Sequence, residues 1–373
     1  MSWELKRDRA PGGLSAKYEP EGAEAAGRGL SNPVAPGDRV SRQGFAADAR
    51  SYRSAVAVDL GGTSIRTSVV DADGSVRDIS RVATPSRGRD AVLTAICSEV
   101  QSTAEAGGGL AEMCGVGLGS PGMVDDNGYL HGPAVNIVGW RDFDIASELR
   151  SRLGVPVIVL NDANAAAMGE FYYGAGSGMR AIALVTVGTG VGVGLVIGGR
   201  PYAGNAGVAG ELGHLVVRPG GRICACGNRG CVEAYASSVA IGRIAGEEAE
   251  HYTDCSSGLA RLVRTMSGSD MVEADVVYDY LSRGDGLAGR VHKQVCLALG
   301  QTAAILASTL APERIVFAGG LMGSADVILP AVRKEFESLV LPHVSKSITL
   351  TQGRLGPVAG LVGAAAAVMV SVH

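Results

Sequence analysis

The chain has 373 residues, with 33 Lys and Arg against 37 Asp and Glu, a formal net charge of −4 and a pI near 5.9. That length is enough for two domains with sizeable cores, and the charge offers no basic surface to attract nucleic acid or an anionic membrane. The apolar stretch at 358–370 is too short to span a bilayer and the start lacks a secretory-signal layout, so a soluble, cytoplasmic protein is expected.

Residues 1–52 are dominated by Gly, Pro, Ala and scattered charge without helical period, and read as a disordered tail. From Ala55 the pattern alternates strands and helices. A strand at 55–59 ends in Asp59, the turn Gly61-Gly62-Thr63 follows, and 65–70 is a second strand. Asp73-Gly74 is a hairpin turn into a third strand at 76–82. A helix is predicted at 90–106, a short strand at 115–118, and an amphipathic helix at 145–153 with Asp144 as N-cap and Gly154 as stop. Residues 155–160 form a buried strand delivering Asn161 and Asp162 to the start of a helix at 163–172. The arrangement then repeats: strand 181–187, turn Gly188-Thr189-Gly190, strand 192–197. The repetition hints at two related lobes. A long helix at 291–310, a strand at 314–318, the turn Gly319-Gly320 and a final helix from 356 complete the chain.

Three features carry chemistry. The glycine turns can bring backbone N–H groups against phosphate oxygens, because glycine permits close approach and unusual dihedrals; no Gly-Lys-Ser/Thr follows them, which excludes a Walker loop. Two such turns imply phosphate held between two hairpins, in a cleft between lobes. Asp162 lies at a strand end, where the crevice of an α/β sheet opens. It reads either as a helix N-cap or as a base for an attacking hydroxyl, and a weak base suffices for phosphoryl transfer. Finally, His214 precedes Cys224, Cys226 and Cys231, a Cys-x-Cys-x4-Cys cluster with the ligand set of a tetrahedral Cys₃His zinc site. Metal-binding thiols need a reducing compartment. The other cysteines, Cys97, Cys114, Cys255 and Cys296, stand apart from one another.

Together, Asp59-Leu-Gly61-Gly62-Thr63-Ser-Ile-Arg66, Asn161-Asp162-Ala-Asn164-Ala-Ala-Ala-Met-Gly-Glu170, Gly188-Thr189-Gly190, Gly210-Glu211-Leu-Gly-His214 and Cys224-x-Cys226-Gly-x-x-Gly-Cys231-x-Glu233 resemble the ROK family (repressors, open reading frames and sugar kinases) from Ala55 to the C-terminus. The resemblance implies an actin-like ATPase (ribonuclease H-like) α/β fold of two lobes with a zinc-binding loop at 214–231. The implied division is a small lobe at 53–160, joined by the C-terminal helix at 357–371, and a large lobe at 161–356. It implies that Asp59, Gly61, Gly62 and Thr63 form the first phosphate motif, with Asp59 suited to organise Mg²⁺. Gly188, Thr189 and Gly190 match the second phosphate motif, and Gly319 and Gly320 the segment under adenosine. Asp162 matches the catalytic base and itself touches substrate; Asn136, Asn161, Glu211, His214 and Glu233 match positions that hydrogen-bond sugar hydroxyls. His214 doubles as a zinc ligand beside Cys224, Cys226 and Cys231, and the zinc is structural.

Asn136-Ile-Val-Gly-Trp140, the Asn161–Glu170 motif and Glu233-Ala-Tyr-Ala-Ser look most like the glucokinase branch. The expected activity is ATP-dependent phosphorylation of a hexose, glucose to glucose 6-phosphate, by a homodimer or tetramer. Ile137-Val138 before Gly139-Trp140 and Val193 depart from the usual pattern, so an N-acetylhexosamine, fructose or a sugar-like cyclitol stays open as acceptor. A ROK-type transcriptional repressor would carry an N-terminal helix-turn-helix, for which residues 1–52 offer no amphipathic pair of helices. A non-catalytic sugar sensor is the third reading, and replacement of Asp162 separates it from a kinase.

Overall fold

The computed structural model describes residues 54–134, 137–266 and 271–371. The expected tail at 1–52 and the candidate sugar contact Asn136 lie outside the described residues.

Two five-stranded sheets organise the described chain, and they share one plan. In the first, β1 (Ser54–Leu60) and β2 (Ser64–Asp71) form an antiparallel hairpin extended by β3 (Ser80–Ala83). On its other side β1 pairs in parallel with β4 (Val116–Ser120), and β4 with β8 (Val157–Asn161). In the second, β9 (Ala181–Val187) and β10 (Val191–Ile197) form the hairpin, extended by the two-residue β11 (Arg200–Pro201). There β9 pairs in parallel with β12 (Arg314–Ala318), and β12 with β13 (Thr349–Gln352). Central strands buried on both faces read as near-continuous apolar runs, as in Ala-Val-Ala-Val at 55–58 and Ala-Leu-Val at 183–185.

The connections differ in size. Helix α1 (Arg89–Ala106) covers the first sheet, burying Val92, Leu93, Ile96 and Val100. A small antiparallel sheet follows, made of β5 (Met123–Val124), β6 (Tyr129–Pro133) and β7 (Arg141–Asp144). Helix α2 (Ile145–Leu153) is capped by Asp144, which accepts from the Ser147 N–H at 2.7 Å, and stopped by Gly154 at φ 71°. Both ends match the caps expected from sequence.

Helix α3 (Asp162–Tyr173) leaves the end of β8, and helix α11 (Ala359–Ser371) follows the end of β13. The two pack against each other, and α11 also lies on β1 and β4. Their facing residues are Ala and Gly. A methyl group on Gly363 would overlap the Ala165 carbonyl, and one on Gly169 the Ala359 carbonyl, so the helix backbones are nearly in contact. Glu170, fully buried in α3, accepts from the backbone N–H groups of Ala175 (2.7 Å), Arg354 (3.0 Å) and Leu355 (2.8 Å). It thereby ties α3 to the segment that leads into α11.

Between β11 and β12 the second sheet carries a long insertion: a loop through residue 232, then α4 (Glu233–Ala236), α5 (Ser238–His251), α6 (Gly258–Thr265), α7 (Ala274–Ser282) and α8 (Gly286–Leu310). Helices α9 (Ala325–Leu339) and α10 (Pro342–Ser347) join β12 to β13. Several elements differ from expectation. The third strand is confined to 80–83, with a lone bridge from Val70 to Val76; the segment between them carries Arg77 and Asp78, and its one large apolar residue, Ile79, is left exposed. The long helix starts at Gly286 rather than 291, since Asp285 caps it by accepting from the Leu287 and Ala288 N–H groups. The strand expected at 155–160 runs from 157 to 161 because Pro156 cannot donate to the ladder. The last helix begins at Ala359 after a 3₁₀ turn at Gly356–Val358. Among the described residues no helix is long and apolar enough to cross a membrane.

Candidate active site

The ends of the two sheets converge around the first turn of α3. Asn161, the last residue of β8, is the N-cap: its amide oxygen accepts from Ala163 N (2.9 Å) and Asn164 N (3.3 Å). Its Nδ2 donates to the Gly122 carbonyl at 3.0 Å. One amide hydrogen is thus left to a ligand. The capping role belongs to Asn161, not Asp162. Asp162 occupies the first helical position, where the positive end of the helix dipole favours a carboxylate, and its Oδ1 accepts from the Ala163 N–H at 2.8 Å.

Asp162 is exposed to solvent, although protein atoms crowd around its carboxyl. Gly119 at the end of β4 lies against it and against Asp59, and Gly192 and Gly194 of β10 lie against Ala163. Enclosure is the main cause that pushes the Asp162 carboxyl up to about 6; the charges of Asp59 and Glu211 act in the same direction, and the Ala163 N–H acts against them. A carboxylate shifted toward neutrality among like charges is a mark of acid–base sites.

Asp59 ends β1, opposite Arg66 in the hairpin register. Arg66 binds its Oδ2 through Nε at 2.9 Å and through Nη2, and donates from Nη1 to the Pro357 carbonyl at 3.0 Å. Only Oδ1 of Asp59 remains for a cation. The adjoining turn is held by Gly61 N to Ser64 O (2.9 Å) and Thr84 Oγ1 to Gly61 O (2.7 Å), and Thr63 faces solvent.

The second wall is made by Glu211, His214 and Glu233. Glu233, at the start of α4, accepts from the Val191 N–H at 3.0 Å and so fixes the β9–β10 turn. Its other oxygen lies 3.8 Å from Cys224 Sγ. Burial raises the Glu211 carboxyl; His214 opposes the rise and Glu233 adds to it. Of the three, Glu211 also acts on the Asp162 carboxyl.

Behind them the candidate metal residues come together. His214 Nδ1 is 3.6 Å from Cys224 Sγ, and Cys226 Sγ is 3.7 Å from Cys231 Sγ. Ligand atoms of His214, Cys224 and Cys226 all lie within 4.8 Å of one another. Tetrahedral bonds of about 2.3 Å to sulfur and about 2.0 Å to nitrogen place neighbouring ligand atoms roughly 3.6–3.8 Å apart. The spacing and donor chemistry could hold a zinc ion. With Nδ1 turned to the Cys224 thiol, Nε2 of His214 is left for another partner.

Gly188 and Thr189 line a separate cavity of about 950 Å³ together with Gly320, Ser238, Glu273 and Asp275. Gly319 abuts Val187, so the last turn of the second sheet and its hairpin turn form one edge of this space. Its size suits a nucleotide. The sequence offered no sign that the start of α7 would form the opposite edge, because nothing in that segment's composition marks it as a binding wall.

The ROK family model matches residues 55–370. A glucokinase of Halalkalibacterium halodurans is 36% identical over 317 residues, covering 84% of this chain and 94% of the relative. A ROK family glucokinase from Streptomyces griseus, solved in complex with glucose and AMPPNP, is 35% identical with a TM-score of 0.69, covering 84% of this chain and 98% of the other. The ROK hexokinase from Thermus thermophilus is 32% identical with a TM-score of 0.70, covering 86% and 99%. The duplicated sheets are those of the actin-like α/β sugar kinase fold.

Proposed function

Because the chain belongs to the ROK family, we propose that it is an ATP:sugar phosphotransferase that converts glucose to glucose 6-phosphate. The observation that carries this reading is the position of Asp162 at the first turn of α3, where Gly119 brings it close to Asp59 and the charges of Asp59 and Glu211 help to raise its carboxyl to about 6. A nucleotide-sized cavity opens beside the Gly188–Thr189 turn. The glucokinase relatives and the glucose and AMPPNP complex described above support glucose and ATP as the pair.

In this reading Glu211, Glu233, Asn161, Asn136 and His214 Nε2 hold the sugar hydroxyls, and an analogue lacking one leaves a buried partner unpaired. Asp162 Oδ accepts the proton of the attacking hydroxyl as that oxygen bonds to the γ-phosphorus; the bond to the β-phosphate oxygen breaks and ADP leaves. Positioning and charge stabilisation supply most of the acceleration. Backbone N–H groups around Gly61–Thr63 and Gly188–Gly190 face the phosphates, and Gly319 and Gly320 the adenosine. Asp59 Oδ1 would hold Mg²⁺, which neutralises phosphate charge when bound.

His214, Cys224, Cys226 and Cys231 would hold a structural Zn²⁺, which fixes loop 214–231 and with it Glu211 and Glu233. The small lobe at 53–160 with the last helix, and the large lobe at 161–356, are the bodies that would close over the sugar. A homodimer or tetramer belongs to the same reading.

The test is sugar-dependent ADP release with Mg-ATP across glucose, mannose, fructose, N-acetylglucosamine, N-acetylmannosamine and a cyclitol. Glucose is expected to give the highest kcat/KM, and Asp162→Ala to lower kcat by about 10²–10⁴-fold while sugar binding persists. Binding of sugar without turnover on any of them would replace the kinase by a sensor.

A further inference from the structure

Arginines gather on the far side of the thiol loop from the cleft. Arg218, Arg222 and Arg229 of the loop and Arg243 of α5 line a cavity of about 520 Å³. Among the described residues Arg222 alone of the four has carboxylate partners: it pairs with Glu247, which also lines the cavity, and lies 3.9 Å from Glu248. Arg218 stacks on the ring of Tyr235, 4.4 Å from its centroid, and the Arg222 guanidinium lies 5.9 Å from the same centroid. Arg229 donates to the Gly221 carbonyl at 3.4 Å. Arg243 is exposed and makes no hydrogen bond or ion pair among the described residues. In a protein of net charge −4, the guanidiniums of Arg218, Arg229 and Arg243 thus lack a carboxylate partner among the described residues, and a bound anion would offset their mutual repulsion.

The cationic wall is also built, not draped. Val217 N and Arg218 N both donate to the Gly230 carbonyl (2.9 and 3.1 Å), and Gly230 N donates to the Arg222 carbonyl at 2.8 Å. Tyr235 is buried and its hydroxyl accepts from Arg222 N at 3.0 Å. These bonds fix where the guanidiniums of Arg218 and Arg222 start from. Planar forks of this kind match phosphate oxygens.

We propose that this cavity is a second ligand site, for a small molecule carrying two or more phosphate charges. It shares no lining residue with the cavity at Gly188 and Thr189. Tyr235 follows Glu233 by two residues, and the arginine loop is the one that carries the thiols. Occupancy is therefore expected to change sugar affinity through Glu233 and Glu211. This last consequence rests on the kinase reading; the binding itself does not.

The test is calorimetry of the full-length, zinc-loaded protein with inorganic pyrophosphate and tripolyphosphate, at physiological ionic strength, with sulfate as control. AMPPNP and glucose are present at saturation, so that the turns at the cleft are filled. Binding with a dissociation constant at or below about 1 mM is expected. Arg243→Ala and Arg218→Ala should each weaken it about tenfold, with thermal stability and basal glucose turnover in Arg243→Ala unchanged. Equal binding by wild type and variants would place the probe elsewhere and overturn the proposal. No binding at about 10 mM would do the same, as would concentration-dependent self-association abolished by Arg243→Ala, which marks the face as an interface between copies. Tight binding that leaves the sugar KM unmoved would keep the site and remove only its link to Glu233.

Discussion

The first and second sheets have the same strand order and polarity, yet their hairpin turns do opposite things. In the first, Asp59 and Arg66 pair across the hairpin, and Arg66 reaches on to Pro357. In the second, Gly188 and Thr189 carry no charge and open onto the large cavity, with Glu233 holding the next N–H from outside. The crossovers diverge as well. One helix covers the first sheet between β3 and β4, whereas the second sheet carries the thiol loop and five helices between β11 and β12. A shared scaffold thus bears two specialised ends, and the chemistry resides in what was added at the turns.

Perturbations confined to one region should separate these roles. The largest effect after loss of Asp162 is expected from the thiol loop. Cys231→Ser removes a fully buried thiol, and metal content should fall below one per chain while the sugar KM rises on the order of tenfold or more. The ATP KM should rise less, because Glu233 reaches the cavity at Gly188 and Thr189 only through its hold on the Val191 N–H. An equal rise in both would show that the two walls are not independent.

Next comes the tie between α3 and the segment that leads into α11. Glu170→Ala strands the N–H groups of Ala175, Arg354 and Leu355, and urea unfolding should record a loss of about 3–5 kcal/mol. A loss under about 1 kcal/mol would mean that water replaces the carboxylate there.

The smallest effects contrast two helical glycines. Gly363→Ala drives a methyl into the Ala165 carbonyl and should cost about 1–3 kcal/mol. Gly289→Ala in α8 meets open space and should be neutral or stabilise by up to about 1 kcal/mol. Equal outcomes would contradict the close approach of α3 and α11.

Much of the scaffold was legible in the chain. Alternating apolar runs around Gly61-Gly62-Thr63 and Gly188-Thr189-Gly190 marked both hairpins, and Asp144 and Gly154 marked both ends of α2. The small sheet escaped notice because β5 has two residues and β6 is interrupted by a register shift between Leu130 and Pro133. Periodicity needs longer runs. At the site, the spacing of His214, Cys224, Cys226 and Cys231 pointed to one cluster; His214, Cys224 and Cys226 have ligand atoms within 4.8 Å of one another, and Cys231 lies beside Cys226. Two roles were hidden. Asn161 and Asp162 are neighbours with similar capping tendency, and only the helix start shows which one caps. The pairing of Asp59 with Arg66 depends on hairpin register, which the turn length could have supplied. The influence of Asp59 and Glu211 on Asp162 is long-range in sequence and has no local signature.

The central claim is that Asp162 takes the proton of the sugar hydroxyl, and the pH dependence of kcat/KM for glucose-dependent ADP formation tests it most directly. A carboxyl raised to about 6 in the ligand-free protein is protonated, and unable to act as a base, below that pH. The account predicts a plateau in kcat/KM above neutrality and an acid limb with an apparent pKa near 6, falling about tenfold per pH unit further down. A kcat/KM that stays level from pH 7 to pH 5, in protein that remains folded, would contradict it.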